Sequence, residues 1–469
     1  MQRKVTYSSV WRAVLVVALF VAEVVGSAPQ VLAQGSAAVN AYSPYTMFGI
    51  GELNTIGTTA MRALGGVGVA WRSSQMPSML NPAGYSATAR KSFIFNFGAE
   101  ANFLQNTQNK YAADGAFSHR AKNAKNTANF HEIAVQMPLA KGLGLGVSLM
   151  PYSSVGYKMK GIEKSDEIVG NIGTATYDYS GDGDVTEVKL GVGWEFVKNL
   201  SVGIAAKYYW GHIKHNYSST VTGDYVGPGD YNAVIGLDDY AISSFKFQVG
   251  VQWSIINTNK RVLTLGATYD YGGPLRPKVV QSRYLNNNYS TSVSVESNRS
   301  QMRLPHKVVA GIMYQDPKFT AGAEYEFAAW GGGNAGYFEE EMYGGMKVRY
   351  VDTHTAKLGI EYTPNRFDVR NYLRRIAYRF GCRYSNYYQS YGGHMIPQVA
   401  LTAGLGFPLK FMGASSIDVC FEYGYRGTGA TMMSDMGQRV GLIKQNYFKI
   451  GLGFSLFGED YWFVRPKFD

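Results

Sequence analysis

Seven cations are the residues of this chain best suited to binding chemistry: Lys189, Lys207, Lys246, Lys307, Lys357, Arg379 and Arg383. Each lies on the polar side of a segment in which apolar and polar residues alternate, so each points away from its apolar neighbours. Around an enclosed cavity, such groups would hold the charged head of an amphipathic ligand. The competing role is ion pairing with Glu187, Glu195, Glu324 or Glu361, which share that polar side. For any single cation the pairing role weighs more, and nothing in the sequence selects one from the pool.

Catalysis has less to stand on. His212 and His215 are three apart, so on a strand they face opposite sides and cannot share a metal. His119, His131, His306, His354 and His394 are scattered singly, and no Gly-x-Ser-x-Gly elbow occurs. Gly65-Gly66-Val67-Gly68 follows no strand and lacks the third glycine of a dinucleotide loop. The expectation is a protein that is not an enzyme, with no metal and no cofactor.

The elements that would position the cations are strands. Period-two alternation marks about fourteen segments between Phe93–Phe103 and Phe448–Leu456. In the last, Phe448, Ile450, Leu452, Phe454 and Leu456 share one face and Lys449 the other. Near residue 190, Val188, Leu190, Val192, Trp194 and Phe196 oppose Glu187, Lys189 and Glu195. A Lys or Arg facing lipid at the midplane costs roughly 2–4 kcal/mol, so a bilayer would enforce this sorting. The charged face also carries glycines, among them Gly144, Gly146, Gly191, Gly193, Gly203, Gly250, Gly266, Gly322, Gly359 and Gly404, which leaves room for a plug. A soluble sandwich would alternate too, but fourteen bilayer-length strands favour closure into a barrel.

No internal apolar run reaches the ~18 residues of a membrane helix. The N-terminus reads as a secretory signal over 1–33: Arg3, Lys4 and Arg12, then apolar Ala13–Ala22, then Val31-Leu32-Ala33 before Gln34. Its removal lowers the net charge from +11 to +9. Acids and bases are interspersed on nearly every strand, which argues against nucleic acid. Short turns such as 138–142, 197–199, 256–260 and 315–318 alternate with long polar stretches such as 105–125, 161–184 and 212–243, read as external loops. On that rule the first strand starts in the periplasm, and 364–373 is a longer periplasmic turn. The tyrosines of 384–391 and 423–425 fit an interfacial girdle. Cys382 and Cys420 lie on opposite faces with a strand between them, which argues against a disulfide.

The most specific stretch is Ala63-Leu64-Gly65-Gly66-Val67-Gly68-Val69-Ala70 followed by Asn81-Pro82-Ala83-Gly84. It resembles the plug of the FadL/TodX family, outer-membrane channels for long-chain fatty acids and other hydrophobic molecules. The opening 42–51 and the ending Tyr461-Trp462-Phe463 look like the Bacteroidetes branch. The resemblance implies an all-β fold: a closed antiparallel transmembrane barrel of about 14 strands with an N-terminal hatch in its lumen. The division would be signal peptide 1–33, hatch 34–91 and barrel 92–469. It further implies that Asn81, Pro82 and Ala83 seat the hatch, which enters from the periplasmic side of a Gram-negative outer membrane. The expected function is uptake of hydrophobic or amphipathic small molecules. The alternative is an interaction barrel, since some relatives in that branch carry cargo for the type IX secretion machinery. Expected partners are outer-membrane lipids, lipopolysaccharide, a hydrophobic ligand and the barrel-assembly machinery, with a secretion-machinery partner under the alternative.

Overall fold

The computed structural model describes residues 43–458 except 91, 113, 163–173, 223–232, 259, 286–294, 298–301, 332–339, 343–345, 410–414 and 434–438. The expected signal peptide lies outside the described residues. Fourteen strands form the wall: β1 (Phe93–Tyr111), β2 (Phe117–Ala140), β3 (Leu143–Ile162), β4 (Thr174–Val197), β5 (Leu200–Thr222), β6 (Val234–Asn257), β7 (Val262–Asp270), β8 (His306–Gln315), β9 (Phe319–Ala329), β10 (Thr353–Tyr362), β11 (Ala377–Tyr391), β12 (His394–Pro408), β13 (Ser416–Arg426) and β14 (Lys444–Gly458). Each pairs antiparallel with its neighbours, and β1 closes on β14 from Phe93↔Gly458 to Thr107↔Lys444. Closure pairs every strand on both sides over at least part of its length, which is what strands need inside a hydrocarbon layer.

The barrel is inside-out relative to a soluble domain. Phe247, Val249, Val251, Trp253, Leu358, Ile360, Phe380, Leu401 and Leu452 are exposed on its outer face. Glu187, Lys189, Gln252, Glu324, Arg379, Asp418 and Glu422 are buried on its inner face. Cys382 and Cys420 are both free thiols.

Two expectations need correction. The stretches 105–125, 161–184 and 212–243 are largely not loops: the strands run on through them. β2, β4 and β6 are each 24 residues long, against 10 for β8 and β10, so one wall is far taller than the other. At ~3.4 Å per residue such strands outreach the ~25–30 Å apolar layer even when tilted. Beyond it, both faces meet water, the alternation that marks a strand disappears, and the outer part of β2 is exposed on both sides. The tyrosine girdle fails in part as well. Tyr384 and Tyr423 do face outward, but Tyr387, Tyr388 and Tyr391 are buried in the lumen. An irregularity between Asn386 and Ser390 in the β11–β12 ladder resets the parity there.

Candidate functional site

The lumen is filled by residues 43–90. At the long-loop end Tyr45, Phe48 and Ile50 enter an apolar cluster with Val155, Tyr209, Ile213, Trp330, Tyr388 and Ile396. Tyr387 and Tyr391 hydroxyls both donate to the Tyr45 carbonyl at 3.2 Å. The chain then descends along β3, with Glu52↔Ser154 and Leu53↔Ser153 in antiparallel register. At the short-turn end it turns and circles the wall.

That circle runs on a track of glycines. Thr59 lies over Gly453, Ala63 over Gly404, Leu64 over Gly359, Val67 over Gly322, Val69 over Gly266 and Gly311, Pro82 over Gly193 and Gly203, and Tyr85 over Gly144 and Gly146. A Cβ at almost any of these would overlap the segment, so the backbone touches the wall directly. Hydrogen bonds fix its height. Glu324 Oε2 accepts the N–H groups of Gly68 and Val69, both at 2.9 Å. Glu132 Oε1 accepts that of Thr59 at 2.9 Å, and Gln136 Oε1 that of Ser78 at 2.8 Å. Thr402 Oγ1 accepts from Gly65 N and donates to Ala63 O, each at 2.9 Å. Gly65 and Gly66 have φ of 73° and 87°, the left-handed turn that ends the short helix Thr59–Ala63.

Asn81-Pro82-Ala83 sits where this track meets β4, β5 and β6. Pro82 opens a 3-10 helix over Pro82–Ala87, and Asn81 caps it: Ala83 N–H donates to Asn81 Oδ1 at 3.0 Å. Asn81 Nδ2 donates to the carbonyls of Val69 and Val251, at 2.9 and 3.0 Å.

Of the seven cations, five meet carboxylates. Lys207 lies 2.6 Å from Asp270, Lys307 3.6 Å from Asp270, and Lys357 2.8 Å from both Glu324 and Glu326. Arg379 pairs with Glu361 at 2.7 Å and with Asp418, and Arg383 with Glu422 at 2.6 Å. Lys189 and Lys246 instead donate to the carbonyls of Met79 and Pro274, at 2.7 and 2.9 Å. Glu195, expected to pair across the wall, binds Arg72 of the luminal segment at 2.7 Å. Arg62 and Arg426 make further pairs between segment and wall, with Glu100 and Glu52.

Between the apolar cluster and the glycine track lies a cavity of ≈ 170 Å³. Lys207, Asp270, Lys307, Glu326, Arg383 and Lys449 line it. Arg383 Nη1 there is buried and has no hydrogen-bond partner among the described residues. The wall beside it is parted. β2 and β3 pair only from Ala140↔Leu143 to Ile133↔Leu149. Above that, β3 passes Pro151 and leans inward, with Met150, Ser153, Ser154, Val155 and Tyr157 all buried. Its freed edge is taken by the luminal segment: Asn54 N–H donates to Tyr152 O at 2.9 Å and Ser43 N–H to Gly156 O at 2.8 Å. Phe130 of β2 and Pro151 of β3 flank a small cleft at the parting, and Glu52, Asn54 and Lys449 line both cleft and cavity.

The BamG family model matches residues 15–469. The chain belongs to the BamG family. No curated protein matches it by sequence. Among solved structures, a FadL homologue of Pseudomonas aeruginosa superposes with a TM-score of 0.57 at 12% identity, over 87% of this chain and 99% of that one. The toluene transporter TodX of Pseudomonas putida gives 0.53 at 14% identity, over 88% and 100%. The CymD monoaromatic hydrocarbon channel gives 0.53 at 12%, over 86% and 98%. At these identities the likeness is one of fold, and this BamG-family barrel has the FadL and TodX fold.

Sequence reasoning missed three features of the BamG-family lumen. His131 was one of several isolated histidines. A bulge in β2 between its pairs with Gly98 and Ala99 turns His131 inward beside Glu132, where its Nε2 lies 3.1 Å from Gly57 O. Arg62 and Arg72 carried no signal beyond their charge. The proline of Pro151-Tyr152 was the one visible mark of the parting.

Proposed function

We propose that this barrel is an outer-membrane channel for hydrophobic or amphipathic small molecules, long-chain fatty acids among them, with residues 43–90 as its hatch. The parting between β2 and β3 carries the reading. An apolar solute concentrates in the bilayer, and a sideways slot leading through Phe130 and Pro151 to the cavity gives it a route that avoids water. Arg383, with its spare Nη1, is the head-group contact the geometry favours within the pool of seven. Asn81, Pro82 and Ala83 hold the hatch across the short-turn end, which faces the periplasm by the loop-length rule. Lipid and lipopolysaccharide surround the outer band, and the barrel-assembly machinery inserts it.

A second reading rests on the lumen's chemistry. Ion pairs break up the cavity's apolar lining of Leu53, Ile56, Val69 and Leu80, and the segment closes the barrel above and below it. That favours an interaction barrel, with secretion cargo as one candidate partner. Uptake of labelled long-chain fatty acid separates the two. Loss of uptake on deletion of the gene supports the channel; normal uptake with lost secreted cargo supports the second reading.

A further inference from the structure

We propose that the turn between β10 and β11 binds anionic phospholipid head groups of the leaflet at the short-turn end; this rests on the membrane placement proposed above. The other turns at that end have two to seven residues, whereas this one has fourteen, Thr363–Ile376. Phe367 and Val369 are 88% and 87% exposed, the two most exposed large apolar side chains among the described residues, and Leu373 is 63% exposed. Arg366, Arg370, Arg374 and Arg375 are interleaved with them, against one acid, Asp368.

The display is built rather than loose. Asp368 Oδ1 accepts the N–H groups of Arg370 and Asn371 at 2.9 Å each. Asn371 caps the 3-10 helix Tyr372–Arg375, and Asn365 N–H donates to Arg374 O at 2.8 Å. These bonds within the turn hold it in a shape that keeps its apolar side chains pointing out. It is also tied to the lipid side of the wall. Tyr378, on the same face of β11 as exposed Phe380, donates its hydroxyl to Leu373 O at 3.1 Å. Tyr372 reaches the end of β12, donating to Pro408 O at 3.2 Å. The foot therefore hangs directly below the outward band of Ile360, Tyr362 and Phe380. Arg370 and Arg375 have no carboxylate partner among the described residues. Apolar side chains set beside guanidinium groups at the edge of an apolar band are what an interfacial lipid layer takes up, and the cations select anionic heads. A water-soluble protein partner would need no tie to the lipid side.

The test uses the full chain with Cys382→Ala and Cys420→Ala, spin-labelled at Val369→Cys or Leu373→Cys, in vesicles of phosphatidylethanolamine and phosphatidylglycerol. A label at Val249→Cys, on the outer band, and one at Lys318→Cys, in a short turn, give the two limits. At 369 and 373 we expect collisions with oxygen to outweigh those with an aqueous nickel chelate, as at 249. The ratio is expected to fall when phosphatidylglycerol is omitted, or when Arg370, Arg374 and Arg375 are changed to Gln. Nickel-dominated collisions at 369 and 373 with an oxygen-dominated 249 overturn the proposal and leave the turn to a soluble partner. A ratio indifferent to phosphatidylglycerol overturns it too. A nickel-dominated 249 removes the membrane reading, and the proposal with it.

Discussion

Asn81 uses one amide for two tasks, ending a turn and tying the luminal segment to the wall. Asn81→Ala removes the cap on Ala83 N–H and the amide donor to the Val69 and Val251 carbonyls, the first of which keeps Gln252 Nε2 at 3.0 Å, so we expect a loss of about 1–3 kcal/mol, read as a lower urea midpoint. Gly193→Ala pushes a methyl into the Pro82 carbonyl and is expected to cost about 1–3 kcal/mol by overpacking, with faster tryptic cleavage of the segment. Lys357→Met removes the cation that Glu324 and Glu326 share, leaving Glu324 two backbone N–H groups and Glu326 Lys307 at 3.8 Å, and a loss of about 1–3 kcal/mol in the same unfolding assay is expected. Asp316, in the β8–β9 turn, is held below the ordinary aspartate range by the N–H groups of Lys318 and then Phe319. Its contribution is present above the ordinary aspartate pKa and is lost as pH falls through the depressed value. The protection of the Lys318 and Phe319 amides against exchange, relative to the intrinsic rate at each pH, is expected to fall over that acid range, and Asp316→Asn to flatten the dependence. At this scale the sequence shows which side a residue faces but not whom it meets. Parity put Lys357 and Glu324 on one face; their contact depends on register, Glu324↔Lys357, which no single strand carries.

The tall strands show where alternation stops informing. It marks β8, β10 and β14 well, because one face meets an apolar phase and the other a polar lumen along their length. It fails in the upper half of β2, where water lies on both sides. The two bulges, at His131 and after Asn386, are departures of one or two residues that flip a whole strand end, and nothing local announces them. The parting between β2 and β3 is likewise a property of two strands and a third partner. Because Leu53 of the luminal segment is the register partner of Ser153 where the segment takes the freed edge of β3, Leu53→Cys with Ser153→Cys pins the segment to β3 on oxidation. If the hatch gates uptake there, the oxidised protein is expected to lose labelled fatty acid uptake and a reductant to restore it. Full uptake in the oxidised state would refute that gate.

For the whole molecule, the lumen behaves as a second core whose surfaces are polar at mid-height and apolar above. Deleting residues 44–87 is expected to turn a non-conducting barrel into a conducting one in planar bilayers, provided the shortened chain still shows the heat-dependent gel shift of a folded barrel. The glycine track bears on how such an object is made. Its bare stretches are complementary to a backbone that precedes β1 in the chain and is synthesised before any of the wall. Once β1 has zipped to β14, a segment outside would have to thread a closed ring to reach that track. The complementarity is therefore most easily reached while the seam is still open, with the ring closing around it like a cask built about its own contents.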